Sequence, residues 1–377
     1  MITKQLKRYL SLPMIALSIA MLFVQPVSAA KQIYDVEETL NSLTLHEKIC
    51  QMFIMYQHQM PKDGGGYVEA FETGSILEKS LEKYPIGGIL YDASNMRSHE
   101  QLTSLVSTAD SYSKIPLIFS IDEEGGKVAR IGNTLGYTRG SILNAMGTYS
   151  NQGKETAYDN ARFIGLNIAD HGFNLDFAPV ADTDSNPNNT VIGTRAYSKD
   201  FDEAAELVGS AVLGFKSTGV GTTLKHFPGH GDTSEDSHSS SAYVHKTLRE
   251  LRTNELKPFR AGIKNGTDAV MIGHIIVDEV GEPSLFSKNI VTNLLKEEMG
   301  FNGLIITDGL QMKAITDYYT TEEVVINGIN SGIDLFLCPS NLPESVNAIE
   351  NAVLNGDLTE ERIDESVRKI LTFKQNH

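Results

Sequence analysis

Two stretches of the chain carry acid–base groups at spacings that chemistry can use. In KHFPGHGDTSEDSH, residues 225–238, Asp236 stands two positions before His238. A carboxylate that accepts a hydrogen bond from one ring nitrogen fixes the imidazole tautomer and favours its protonated form, so His238 is a candidate proton donor near neutral pH. Gly229, Gly231 and Ser234 precede the pair and Ser239, Ser240 and Ser241 follow it, a composition suited to a loop that moves over a bound substrate. In LIITDGLQM, Asp308 leaves an apolar run directly into Gly309. It reads either as an N-cap for the next helix or as a nucleophile or base. Lys225, His226, Arg130 and Arg195, with an aspartate, suit a ligand dense in hydroxyls. A divalent-metal set of His226, His230, Asp232, Asp236 and His238 is the competing reading. No HExxH or paired-cysteine pattern accompanies it, and no metal or cofactor is expected.

Such groups need elements to hold them. Apolar runs of strand length occur at 49–56, 86–91, 116–121, 173–180, 220–226, 268–276, 303–307 and 333–338. Amphipathic stretches such as HEQLTSLVSTADSYSK, KETAYDNARFIGLNIADHG, DEAAELVGSAVLGFKSTG and SVNAIENAVLNG lie between them, with apolar residues three and four apart. Near-continuous apolar strands divided by helices predict a parallel sheet with helical cover. Eight such units predict an α/β fold closed into a single (β/α)8 TIM-type barrel. Polar residues follow the strand ends: Asp92, the run Asp122-Glu123-Glu124, Asp182, Lys225-His226, His274 and Asp308. In this barrel type the active site lies at that face.

The chain has 377 residues and a formal charge of −16, which argues against nucleic acid or a broad anionic surface as partner. Lys4, Lys7 and Arg8, the apolar run LSLPMIALSIAMLFV and then PVSAA form the order of a signal peptide over residues 1–29, with cleavage before Ala30. No stable membrane insertion is expected after cleavage, and the product is expected to be secreted, periplasmic or wall-associated. No linker or composition break divides residues 30–377, which are expected to form one domain. Cys50 and Cys338 both lie in apolar stretches and read as buried thiols, although export would permit a disulfide.

KHFPGHGDTSEDSH resembles the K-H-F-P-G-H-G-x4-D-[ST]-H signature of bacterial β-N-acetylglucosaminidases of glycoside hydrolase family 3. The resemblance runs from about residue 38 to 374 through DEEGGKVARI, LDFAPVAD, IGTRAYS, VMIGH, TDGLQM and RIDESVRKILTFK. It implies that Asp308 is a nucleophile forming a covalent glycosyl-enzyme and that His238, held by Asp236, is the general acid/base. It also implies that Asp122, Arg130, Arg195, Lys225 and His226 hold the non-reducing sugar. Two positions depart from the pattern: Glu123 stands where Gln is usual, and Gly309 where Asp or Ala is usual. The expected activity is removal of terminal β-linked N-acetylglucosamine, with peptidoglycan fragments as the implied source. A sugar-binding protein of low activity, a β-glucosidase and a glycoside phosphorylase on the same barrel are the alternatives.

Overall fold

The computed structural model describes residues 34–140, 152–233 and 242–377. The segment expected to be a signal peptide lies outside the described residues. Eight strands carry the fold: β1 (Phe53–Tyr56), β2 (Gly88–Leu90), β3 (Ile118–Ile121), β4 (Leu175–Asp176), β5 (Gly221–Phe227), β6 (Ala269–Ile272), β7 (Leu304–Thr307) and β8 (Phe336–Leu337). They pair in parallel and in chain order from β1 to β7, and β8 pairs with β1. Between β7 and β8 the ring is nearly closed by one bridge, Ile306 with Leu335. The Asp334 and Leu335 N–H groups donate to the Ile305 carbonyl at 2.8 and 3.0 Å, and Thr307 N–H donates to the Leu335 carbonyl at 3.0 Å. The eight-run pattern thus becomes a (β/α)8 barrel.

Strand residues are buried on both faces, as parallel strands under helices must be. The helix Phe201–Lys216 shows how the outer layer forms. Asp200 caps it by accepting from the Asp202 and Glu203 N–H groups, and Ala204, Leu207, Val208, Ala211, Val212 and Phe215 make its buried stripe. Gly88 sets the approach of β2 to β3, because a Cβ there would lie 2.4 Å from the Ile118 carbonyl oxygen.

Three strand boundaries differ from expectation. Residues 49–51 end the helix Leu45–Gln51, because Thr44 and Glu47 form a reciprocal capping box that starts a helix upstream of the apolar run, and the helix continues into it. In 173–180 only Leu175 and Asp176 form the ladder, with Pro179 lacking an N–H to donate further on. In 268–276 the barrel strand stops at Ile272, and Ile275–Val277 pairs instead with Ala242–Val244. Cys50 and Cys338 are buried, unpaired thiols.

Candidate active site

The C-terminal ends of the strands surround a cavity of about 480 Å³. Asp122, Arg130, Arg195, Lys225, His226 and Asp308 all line it. The expected nucleophile and all five residues expected to hold the sugar therefore reach one cavity. Asp236 and His238 lie outside the described residues.

The acidic wall comes from the segment after β3. Glu123–Gly125 pairs with Val128–Ala129 in a short antiparallel ribbon. Alternation along this extended chain turns Asp122 and Glu124 to the cavity and Glu123 away from it. Glu123 accepts hydrogen bonds from Ile131 N–H at 2.8 Å, Gly132 N–H at 3.0 Å and the Tyr137 hydroxyl at 2.6 Å. Burial pushes its carboxyl up, against these donors. The Glu-for-Gln departure thus sits behind the wall, where the side chain serves as a buried acceptor.

Lys225, at the end of β5, donates to Asp122 Oδ1 at 2.6 Å and lies 2.7 Å from Glu124 Oε1. Arg195 grips Glu124 bidentately at 2.8 and 2.9 Å. Burial alone would raise the Glu124 carboxyl, but the Arg195 and Lys225 charges hold it well below the carboxylate range. Arg130 stands 3.6 Å from Asp122 Oδ2, beyond hydrogen-bonding distance. Its Nε is buried and has no hydrogen-bond partner among the described residues. Glu124 was visible in the sequence as part of the polar run after β3. Its i, i+2 spacing from Asp122 is the signal that would have assigned it to the same wall.

The turn after Lys225 is organised by Asp182, which is fully buried. Its Oδ2 accepts from His226 N–H at 3.1 Å and bonds His226 Nδ1 at 2.7 Å, and its Oδ1 accepts from His230 N–H at 2.6 Å. Burial opposes ionisation of Asp182, but the His226 charge and hydrogen bond outweigh it and lower the carboxyl. With Nδ1 donating to a carboxylate, the neutral His226 ring keeps Nε2 as its acceptor. Gly231 closes the turn against the next segment, since a Cβ there would stand 1.7 Å from the Thr183 carbonyl oxygen. His230 is buried, and burial lowers its pKa, followed by the His226 charge. Among the described residues no group of three or more His, Cys, Asp or Glu is arranged to hold a metal ion.

Asp308 follows β7 and accepts from Gly309 N–H at 2.7 Å. Burial would push its carboxyl up, but the His226 and His274 charges, the Gly309 N–H and Lys225 bring it down to about 2. It is ionised at neutral pH and faces the cavity rather than capping a helix. His274 Nε2 donates to the Gly309 carbonyl at 2.9 Å and steadies the same segment. Asp92, another residue of the predicted rim, instead caps a short turn by accepting from Ser94 N–H. A buried carboxylate opposite fixed cations, with acceptors and donors alternating around one cavity, can form a covalent bond to an electrophilic carbon while hydroxyls are held around it.

Residues 44–373 match the glycosyl hydrolase family 3 N-terminal domain. Beta-hexosaminidase A of Pseudoalteromonas piscicida is 31% identical over 362 residues, covering 88% of this chain and 60% of that protein. The beta-hexosaminidase of Stenotrophomonas maltophilia (strain R551-3) is 32% identical over 282 residues, covering 73% of this chain and 83% of that protein. The structure of a glycoside hydrolase family 3 beta-N-acetylglucosaminidase from Paenibacillus sp. str. FPU-7 superposes with a TM-score of 0.80 at 34% identity, covering 89% of this chain and 63% of that one. The chain thus spans less than two thirds of the length of the Pseudoalteromonas and Paenibacillus proteins. From its match over residues 44–373, the chain belongs to glycosyl hydrolase family 3.

Proposed function

We propose that this chain is an exported, retaining exo-β-N-acetylglucosaminidase that removes terminal β-linked N-acetylglucosamine, with peptidoglycan fragments as its source. The observation that carries the reading is the ionised Asp308 in a cavity shared with Asp122, Lys225, Arg195, Arg130 and His226. Asp308 attacks the anomeric carbon and forms an ester as the glycosidic C–O bond breaks. His238, oriented by Asp236, gives its proton to the departing oxygen. It then takes a proton from the water that cleaves the ester, which returns Asp308 as a carboxylate. Lys225, Asp122, Arg130, Arg195 and His226 hold the sugar hydroxyls. The names of the Pseudoalteromonas, Stenotrophomonas and Paenibacillus proteins support the N-acetylhexosaminide as substrate.

Four experiments test this. A 2-deoxy-2-fluoro sugar with an activated leaving group should label Asp308, and Asp308→Ala should lose several orders of magnitude in kcat. Labelling of another carboxylate, with Asp308→Ala still active, refutes the mechanism. Comparing kcat/KM on 4-nitrophenyl β-glycosides of N-acetylglucosamine, N-acetylgalactosamine and glucose tests the sugar, and preference for glucose refutes it. Running the reaction with and without phosphate separates hydrolysis from transfer to phosphate. N-terminal sequencing of the exported protein tests cleavage before Ala30.

A further inference from the structure

Gly309 departs from the pattern that TDGLQM resembles, and the structure shows what occupies the space it frees. A Cβ at residue 309 would lie 2.9 Å from Gln311 Oε1, 3.1 Å from Nε2 and 3.2 Å from Cδ, its three nearest contacts. Gly309 is outside the left-handed region, so it supplies room rather than conformational freedom. The Gln311 carboxamide folds back over the residue 309 backbone into that room. Gly309 is itself tethered on both polar groups: its N–H donates to Asp308 Oδ1 at 2.7 Å and its carbonyl accepts from His274 Nε2 at 2.9 Å. The carboxamide therefore rests on a fixed stretch of chain beside Asp308.

Gln311 lines the cavity, and it is the one carboxamide side chain among the described residues that do. Its amide makes no hydrogen bond to another described residue. By contrast, Glu124, Arg195, Lys225 and Asp122 already hold one another. A carboxamide presents one acceptor oxygen and two donor hydrogens without carrying charge. Met312, the next residue, lines the same cavity and adds a polarisable apolar surface. The ligand group that matches both is an amide with a small apolar end. In the reaction proposed above, Asp308 attacks the anomeric carbon, whose ring neighbours are the ring oxygen and C2. A ring oxygen can only accept, and a 2-hydroxyl has no apolar end. A 2-acetamido group offers an N–H, a carbonyl oxygen and a methyl together.

We propose that Gly309 and Gln311 act as one specificity-determining pair: the glycine makes room for the Gln311 carboxamide, and the carboxamide hydrogen-bonds the 2-acetamido group of the terminal sugar. The proposal rests on the glycosidase reading above. Each residue is useful only in the presence of the other, because the amide cannot lie along the chain once a Cβ fills its place. All three atoms that such a Cβ would meet belong to the far end of a flexible side chain, so Gly309→Ala swings the amide away without straining the fold.

The test is a double-mutant cycle on 4-nitrophenyl β-N-acetylglucosaminide with Gln311→Ala, Gly309→Ala and the double variant. Gln311→Ala should lower kcat/KM about tenfold, as the loss of one hydrogen-bonded pair does. Gly309→Ala should cost about the same. The double variant should fall no further than about twofold below Gln311→Ala, where independent sites would give about a hundredfold in all. Inhibition by 2-acetamido-1,2-dideoxynojirimycin and by 1-deoxynojirimycin, which has a hydroxyl in place of the acetamido group, identifies the group that is read. In Gln311→Ala only the first inhibitor should weaken, by about tenfold. Gln311 is exposed, and an unchanged melting temperature checks the fold of each variant. A loss under about twofold in Gln311→Ala, additive losses in the cycle, or equal weakening of both inhibitors overturns the pair and leaves the glycosidase reading standing. Wild-type inactivity on the glycoside overturns the glycosidase reading and the pair with it.

Discussion

Asp182→Asn is the most incisive perturbation of the site, because Asp182 does not line the cavity yet holds a residue that does. The carboxylate uses both oxygens: Oδ2 serves the His226 ring and N–H, and Oδ1 serves His230 N–H. An amide keeps one oxygen and replaces the other with donors. If the amide nitrogen takes the Oδ1 place, His230 N–H faces a donor. If it takes the Oδ2 place, the His226 ring must move its proton to Nε2, which removes the acceptor from the cavity. Either way a charge-assisted hydrogen bond worth about 1.5–3 kcal/mol is lost. Felt in the transition state, that is about 10- to 150-fold in kcat/KM. On the proposed reading, in which His226 holds the sugar rather than the leaving oxygen, the loss should be the same for 4-nitrophenyl and 2,4-dinitrophenyl N-acetylglucosaminides. The assay is kcat/KM on that pair, with thermal unfolding as a check on the fold. A loss under about threefold, or one that grows as the leaving group becomes more basic, refutes the argument that Asp182 acts through His226.

His238→Ala should show the opposite signature, hurting the more basic leaving group far more, and Asp236→Asn a milder form of it; equal losses on both glycosides would make His238 a binding residue. Glu124→Gln leaves Lys225 and Arg195 buried without their shared counter-charge, and denaturant unfolding should report a loss of about 3–5 kcal/mol; a loss below about 1 kcal/mol would mean that Asp122 alone compensates Lys225. Gly231→Ala must displace the Thr183 carbonyl and should lower both stability and activity, so a variant with wild-type melting temperature would contradict the close approach there. Stability should fall on acidification in two stages. Burial lowers His230 and His171 in the folded state, so protons favour the unfolded chain as pH drops below about 6.5. Asp308, Glu124 and Asp182 are depressed carboxylates, whose contribution is present above about pH 4 and is lost as pH falls toward their folded values. A melting temperature flat from pH 7 to 4 would contradict the first stage.

Much of the barrel was legible because a strand covered by helices has no polar face, so each of the eight appears as an apolar run. The polar residues at the rim were legible because they interrupt those runs at the same end. Partnerships across the barrel were not. Glu124 meets Arg195 across 71 positions, and Asp182 meets His226 across 44. No periodicity reports such pairs, since they depend on which strands the ring brings side by side. The helical end at 49–51 was hidden for a different reason: Ile49 and Cys50 are as apolar as the strand that follows, and only the Thr44–Glu47 box upstream marks the helix.

The arrangement of charges explains how a chain of net charge −16 keeps cations in its candidate active site. Lys225 and Arg195 are buried, and holding either charge there without a counter-charge would be costly. Glu124 takes Arg195 through two hydrogen bonds and Lys225 through a third contact, so one carboxylate anchors two cations. Lys225 has charge left for Asp122 and, more weakly, for Asp308. Asp122 is thereby fixed on one oxygen, while its other oxygen stands 3.6 Å from Arg130 with no hydrogen bond closing the gap. The tightly paired members form the rigid back of the cavity, and the loosely paired Asp122 and Arg130 form its front. A ligand hydroxyl that donates to Asp122 and accepts from Arg130 completes the network without breaking any bond already made. Specific recognition then costs little reorganisation, because the strong pairs are in place before the ligand arrives.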